Sequence, residues 1–404
     1  MARGCDFFLN PAALRSAPDG LPEAVHSLAD GAREAAAVIG AWPGYAATPL
    51  LSLDALAGEL GLAALFYKDE AGRFGLGSFK ALGGAYAVYR VLRAAIAEER
   101  GPAYAVDVPG LIAGTHSSVA SKITVTCATA GNHGRSVAWG ARLFGCRAVI
   151  FVHRGVGQDR AEAIAAFGAE IVRVDGDYDA AVGEAARRAE AEGWTVVSDT
   201  SYPGYTQIPL HVMHGYTLLM REVEAALPAA GMPTHLFVQG GVGGLAAGLA
   251  GDLAARLGER RPVVVVVEPA GADCLFASAR AGERRATDGP VASMLLGMAC
   301  GEPSMIAWDI LQVAADGFVT IPDDAAIDAM RTLNNLIVGG HSIVAGECAG
   351  AGLAALRWAV TQPAVKQALG LDAASRVLLI GTEGATDPAV YRRIMGRAIK
   401  RARG

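Results

Sequence analysis

From residue 80 or so onward, short apolar runs alternate with helical patterns, and this alternation constrains the fold more than any other feature. Residues 122–127 (KITVTC) read as a strand and 132–144 as a helix. Strands at 147–152 and 170–174, helices at 158–167 and 178–190, and a strand at 194–198 follow. A βαβ rhythm of this kind predicts a parallel sheet covered by helices on both faces. A second series runs through a long helix at 209–229, a strand at 235–238 and a helix at 243–257. It continues with the run Val263 to Val267, all β-branched, as expected of a central strand buried on both faces. A late strand at 376–380 and a helix at 388–401 close it. With 404 residues the chain is long enough for two domains or two lobes of one enzyme. No Pro- or Ser-rich linker separates the series, and no internal repeat is visible. Residues 100–118 are predicted to be an irregular loop near the site.

Three Gly-rich elements punctuate this pattern in order. Gly77-Ser78-Phe79-Lys80-Ala81-Leu82-Gly83-Gly84 sets a lone lysine among small and apolar neighbours. Ala130-Gly131-Asn132-His133-Gly134 follows a strand. Gly240-Gly241-Val242-Gly243-Gly244 lies between a strand and a helix. A shielded lysine, an Asn-containing turn and a phosphate-cradling loop are the parts of a pyridoxal phosphate site. The desolvated amine of Lys80 would hold the aldehyde as a Schiff base. Backbone N–H groups of residues 240–244 would reach a phosphate at a helix N-terminus. Asn132, just past a strand's carboxyl end, faces the ligand crevice, where its amide can bond the cofactor's phenolic oxygen. Thr382, after the late strand, offers a hydroxyl to the ring nitrogen, a pairing suited to elimination. Asp199, at the end of another strand, can act as base or hold the substrate amine.

Each element also has a plainer reading. Lys80 could be a surface lysine at a helix start, and Asn132 and Asp199 could be caps. His133 is expected to support its turn. The Gly240–Gly244 loop would suit a dinucleotide, but the pattern is not GxGxxG, and Glu268 is the only acid placed to meet a ribose.

Composition narrows the class further. The chain is 52% hydrophobic with 51 glycines, which fits an Ala/Gly-rich α/β enzyme, and its net charge of −5 is spread along the sequence. No basic tract points to nucleic acid. The N-terminus lacks the apolar core of a signal peptide, and the most apolar window, 236–250, is too short to span a bilayer. Six scattered cysteines without a CxxC pair suggest reduced, mostly buried thiols and a cytoplasmic protein. His211 and His214 share a helix face with no third ligand in view, so no metal is predicted.

The segments YKDE, RFGLGSFKALGG, TAGNHGRSVAWGA, SDTSYPGYTQIP, QGGVGG, VEPAGADC, MACGEP and GTEGATDP lie between Phe66 and Asp387. Through them the chain resembles the diaminopropionate ammonia-lyases, within the fold type II (tryptophan synthase β-like) pyridoxal phosphate enzymes. SFK and GNHG are shared with serine and threonine dehydratases, whereas YKDE, CGEP and TEGATDP are more specific. The resemblance implies two α/β lobes with parallel sheets and the cofactor in the cleft between them. Residues 1–85 and 201–404 would form the large lobe and 86–200 the small mobile one. It implies Lys80 as the Schiff-base lysine with Phe79 beside the cofactor and Asn132 as the ring contact. Gly240, Gly241, Val242, Gly243 and Gly244 would be the phosphate loop, and Thr382 the hydroxyl at the ring nitrogen. Asp199 would remove the α-proton of the L-isomer. It further implies a small amino-acid substrate, a role in amino-acid catabolism and a homodimer. The expected reaction is β-elimination of ammonia from 2,3-diaminopropionate. The alternatives are a serine/threonine dehydratase-type lyase on another β-substituted amino acid and a non-catalytic pyridoxal phosphate-binding protein. Glu70 and residues 100–118 are expected to help close the site.

Two positions depart from the family pattern. Ala130 stands where an acidic residue is associated with proton removal from the D-isomer, so activity on the L-isomer alone is expected. Cys348 stands where a small hydroxyl residue is expected.

Overall fold

The β-branched run does lie at the heart of a sheet. In the computed structural model, which describes residues 4–15, 20–129, 131–227 and 231–396, strand Val263–Pro269 pairs in parallel on both sides. Val264 to Val267 are fully buried. In chain order the strands are β1 (Asp6–Leu9), β2 (Leu50–Ser52), β3 (Ala64–Asp69), β4 (Thr124–Ala128), β5 (Arg147–His153), β6 (Glu170–Val174) and β7 (Thr195–Val196). They continue with β8 (His235–Gln239), β9 (Val263–Pro269), β10 (Gly317–Ile321), the hairpin β11 (Ile337–Val338) and β12 (His341–Ser342), and β13 (Arg376–Gly381).

Two main sheets result. The larger has seven strands in the order β1-β10-β9-β8-β13-β3-β2, and the smaller has four in the order β6-β5-β4-β7. The smaller is parallel throughout. The larger is parallel in its interior, but β1 and β2 join its two edges antiparallel. These short edge strands, β3, β10 and the β11–β12 hairpin lie outside the predicted pattern.

The helix predicted at 209–229 is broken in two, Gln207–Tyr216 and Leu218–Ala226. Thr217 divides them, with its hydroxyl donating to the His214 carbonyl at 2.6 Å, a local bond that competes with the helical ladder. Residues 228–229 and 397–401 of the predicted helices fall outside the described residues. Residues 100–118 are not irregular throughout, because short helices form at Val108–Ile112 and Ser117–Ala120.

Helix Lys80–Arg100 links the two sheets, and its two glycines explain how. A Cβ on Gly83 would stand 2.5 Å from the Tyr216 ring, and one on Gly84 2.4 Å from Ser136 Oγ. The helix therefore presses closely against helix Gln207–Tyr216 on one side and helix Asn132–Phe144 on the other, where no side chain would fit. Ser136 completes the junction, donating to the Lys80 carbonyl at 2.7 Å and accepting from the Ala85 amide at 3.0 Å.

A buried ion network fixes the segment leading to this helix. Lys68 donates to Glu222 at 2.5 Å and to the Thr48 carbonyl at 2.6 Å. Arg73 makes paired bonds to Glu222, both 2.7 Å, and to Glu70, both 2.8 Å. Glu70 is thus fully committed to the scaffold, which corrects the expectation that it helps close the site. Immediately after Arg73, Phe74 adopts a left-handed φ of 49° and packs on Trp139 at 4.8 Å between ring centres. Among the described residues no helix is long and apolar enough to cross a membrane.

Candidate active site

Parallel strands end together, so the residues just past their carboxyl ends are brought to one rim. Lys80 follows β3 through the Glu70–Gly75 turn, and Asn132 follows β4. Asp199 follows β7, the Gly240–Gly244 loop follows β8, and Thr382 follows β13.

Lys80 and Asp199 meet. Lys80 Nζ lies 2.5 Å from Asp199 Oδ2, with 20% of the lysine side chain exposed. The rings of Phe79 and Tyr216 flank the ammonium, their centroids 5.4 Å and 5.9 Å away. Burial acts to lower the lysine's pKa, but the Asp199 carboxylate outweighs it and the net shift is upward. Burial likewise acts to raise Asp199, and the Lys80 ammonium overrides it, so this carboxyl is held well below its usual range. In the cofactor-free protein the two groups are an ion pair, and the lysine becomes a nucleophile only on giving up that proton.

His133, expected to support its own turn, instead ties the start of its helix to the residue after β7. Its Nε2 donates to the Val197 carbonyl at 2.7 Å, and its Nδ1 stands 3.7 Å from Asp199 Oδ2. Burial, with the nearby Lys80 charge, lowers its pKa against the pull of Asp199, so the neutral ring positions Asp199's strand end rather than pairing as a cation.

The glycine loop is held by its backbone and by a pair of serines. Gly241 and Gly243 have φ values of 65° and 99°, conformations that side chains oppose, and the loop opens helix Gly244–Leu257. Ser304 donates its amide to the Val242 carbonyl at 2.9 Å, and its hydroxyl accepts from the Ser201 amide at 2.9 Å. Ser201, two residues past Asp199, thus ties the loop to the strand end that carries Asp199. Sequence reasoning missed both serines, although they lie inside or beside the SDTSYPG and CGEP segments. A Cβ on Gly244 would meet the Asp199 carbonyl at 3.7 Å, and one on Gly241 the Cys300 sulfur at 3.7 Å.

The Thr382 segment is laced to the lysine segment. Phe79 donates its amide to the Thr382 carbonyl at 3.0 Å, Gly384 donates to Gly77 at 2.9 Å, and Ser78 bridges Glu383. Among the described residues the Thr382 hydroxyl is buried and has no hydrogen-bond partner, while the buried Tyr216 phenol interacts with the Lys80 ammonium.

Asn132 is not a cap. Gly131 occupies the cap position, Asn132 opens the helix, and its Nδ2 donates to Glu383 Oε2. Ala130 lies outside the described residues. Glu268 is unavailable for a ribose, because it accepts the amides of Leu275 and Phe276 at 3.0 and 2.7 Å. Tyr178, also missed from sequence, lies in the electrostatic field of Asp199; desolvation of its phenol and then the Asp199 charge raise its pKa, against the pull of Lys80, although the residue as a whole is 46% exposed.

Behind Thr382 lie Glu347, Cys348 and Glu383, all buried, with one ligand-type atom each within 4.8 Å of the others. Burial and then the Glu383 charge push Glu347 up to about 8. The Arg160 guanidinium, 3.7 Å from Glu347, already supplies positive charge there. His211 and His214 stand apart from the site, where His214 Nε2 bonds the Ser27 carbonyl at 2.9 Å. A cavity of about 800 Å³, lined by Asp69, Arg135, Glu162 and Thr386 among others, does not include Lys80.

These residues fit pyridoxal phosphate. They offer one amine in an aromatic pocket, a left-handed glycine loop at the start of a 14-residue helix, and an orphaned buried hydroxyl.

The comparisons agree. The family model described as pyridoxal-phosphate dependent enzyme matches residues 41–383. The chain is 37% identical over 357 residues to diaminopropionate ammonia-lyase of Escherichia coli K12, covering 87% of this chain and 88% of that one. The selenomethionine holo form of the E. coli enzyme superposes with a TM-score of 0.85 at 34% identity, covering 98% of this chain and 97% of that one. The same enzyme in complex with an aminoacrylate-PLP azomethine reaction intermediate superposes with a TM-score of 0.81, at the same identity and coverage.

Proposed function

The chain belongs to the pyridoxal-phosphate dependent enzymes, among the diaminopropionate ammonia-lyases, and from this membership we propose the roles of its residues and its preference for L-2,3-diaminopropionate. It is a carbon–nitrogen lyase that uses pyridoxal phosphate for β-elimination. The balance is one 2,3-diaminopropionate and one water to one pyruvate and two ammonia. The observation that carries the assignment of roles is the 2.5 Å contact of Lys80 Nζ with Asp199 Oδ2, in the crevice shared with the glycine loop and Thr382.

When bound, pyridoxal phosphate supplies an electron sink for charge developing at the substrate's α-carbon. Lys80 is the amine that holds it. The Gly240–Gly244 loop at the start of helix Gly244–Leu257 would receive its phosphate, and Phe79 and Tyr216 would keep water from the amine. Thr382 places an uncharged hydroxyl at the ring nitrogen, and Asn132 donates to the ring oxygen. Asp199, held ionised, accepts the α-proton of the L-isomer, and Lys80 lies within one hydrogen bond of it. With Lys80 present as the neutral amine that the substrate displaces, a proton taken at Asp199 Oδ2 can pass to Lys80 Nζ and from there to the departing β-amine. Ala130 offers no second base for the D-isomer.

We further propose a large lobe of residues 1–85 and 201–404, a mobile lobe of 86–200, and a cytoplasmic homodimer. Sedimentation of the holoenzyme as a monomer would refute the last.

Pyruvate release from L- and D-2,3-diaminopropionate, L-serine and L-threonine tests the reading. Turnover of the L-diamine with the D-form inert is expected. Turnover of the D-form at a similar rate overturns the isomer preference, and L-serine as the better substrate overturns the leaving group.

A further inference from the structure

Asn132 and Glu383 stand 251 positions apart and follow strands of different sheets, yet their side chains meet in a partly buried contact. Glu383 is only 4% exposed. Its Oε2 accepts from Asn132 Nδ2 and, at 3.3 Å, from the Thr386 hydroxyl. Its backbone is tied as firmly as its side chain. It bridges Ser78, two residues before Lys80, its carbonyl accepts from the Gly346 amide at 2.9 Å, and Thr382 precedes it directly. One residue thus touches the segments carrying Lys80, Thr382 and Asn132.

We propose that Glu383 is a positioning residue that sets the orientation of the Asn132 amide. The physical reason lies in the asymmetry of the two groups. An amide presents an acceptor at one end and two N–H donors at the other, and the ends differ little in shape. An oxygen already taking two donors acts only as an acceptor. Turned the other way, Asn132 would set its own oxygen against that of Glu383 at hydrogen-bond distance, an arrangement with no bonding proton. Glu383 therefore selects the orientation with nitrogen inward, which uses one N–H and fixes the direction of the other. A fixed N–H is what a negatively charged ring oxygen needs, because a donor oriented before binding loses little freedom on binding. The inference rests on the reading that Asn132 donates to the cofactor.

The test is a double-mutant cycle of Glu383→Gln and Asn132→Ala. The first reading is the dissociation constant for pyridoxal phosphate, from titration of cofactor-stripped protein. The second is the pH midpoint of the visible absorbance of the loaded protein. Gln keeps the shape of Glu but can present either end, so it loses the selection. Glu383→Gln is expected to weaken cofactor binding about tenfold, close to the loss in Asn132→Ala. The double variant should be no weaker than Asn132→Ala alone. The absorbance midpoint should move in the same direction in both single variants, and Glu383→Asp, which keeps an acceptor, should recover part of both losses. Thermal melting of each stripped variant shows that it is folded. Losses that add in the double variant would show that Glu383 acts without Asn132 and would overturn the inference. A silent Glu383→Gln beside an impaired Asn132→Ala would do the same. An Asn132→Ala indistinguishable from the parent would instead overturn the cofactor reading of Asn132, and the inference with it.

Discussion

Two lysines of this protein each hold a carboxylate oxygen at 2.5 Å, and they serve opposite ends. Lys68 pairs with Glu222 and Lys80 with Asp199. Distance does not separate them, but their surroundings do. Lys68 is 1% exposed, also bonds the Thr48 carbonyl, and has Glu70 at 3.9 Å, while Arg73 saturates both carboxylates. Lys80 has one carboxylate, two aromatic walls and an open side. Burial pulls the Lys68 pKa down despite its acidic neighbours, whereas Asp199 lifts that of Lys80 against burial. A buried lysine held by two hydrogen bonds between two carboxylates is scaffold. One with spare donors and an approach route can do chemistry.

The comparison can be broken most severely at Lys80. Lys80→Ala should reduce pyruvate release by about 10⁴-fold or more, because it removes both the cofactor anchor and a proton carrier. The stripped variant should stay folded, with a smaller loss of stability than Glu222→Ala, because the Lys80–Asp199 pair is the more exposed of the two. If Glu222→Ala gave the same pattern, the distinction would fail. Its expected effect is instead on stability, a loss of about 3–5 kcal/mol from leaving two buried cations, Lys68 and Arg73, with Glu70 as their one remaining carboxylate. Denaturant unfolding of the stripped variant measures it, and the folded fraction should keep the parent's kcat.

Asp199→Asn should sharpen the contrast, lowering kcat for the L-isomer about a hundredfold with a smaller change in KM. The smallest effect is in pH dependence. The Lys80 pKa is raised on folding, so its contribution to the stripped protein is complete below the unfolded value of about 10.4 and is lost as pH rises further. The Lys68 pKa is lowered, so its charged form opposes folding below that value and the penalty lifts as pH rises towards it. Melting temperatures from pH 8 to 11 should therefore show the advantage of the parent over Lys80→Met shrinking and that over Lys68→Met growing. Parallel curves would contradict both signs.

The parts of the molecule legible in sequence are those whose signal is local. The β-branched run of β9 needs no partner to be read, and the Gly-rich turns mark strand ends wherever they occur. Their convergence on one rim then follows from parallel topology. Short edge strands such as β2 carry three residues of pattern, too few to read. Thr217 looks helical until its hydroxyl is seen bonding back to His214. Glu70 lies in the segment YKDE, but its assignment to scaffold depends on Glu222, about 150 positions away. Glu383 could be read as part of a family signature, but its hold on Asn132 spans two sheets and has no local pattern.

The paired glycines beside Lys80 bear on how chains of this kind are identified. Gly83 and Gly84 are demanded by the Tyr216 ring and Ser136, neither of which depends on a bound cofactor. A descendant that had exchanged Lys80 for another residue would keep the glycines as long as it kept its two helix junctions. The ALGG half of the signature is thus a record of architecture that outlives the reaction. On the roles proposed above, it is Lys80 and Asp199, read together, that would distinguish a working enzyme from a retired relative.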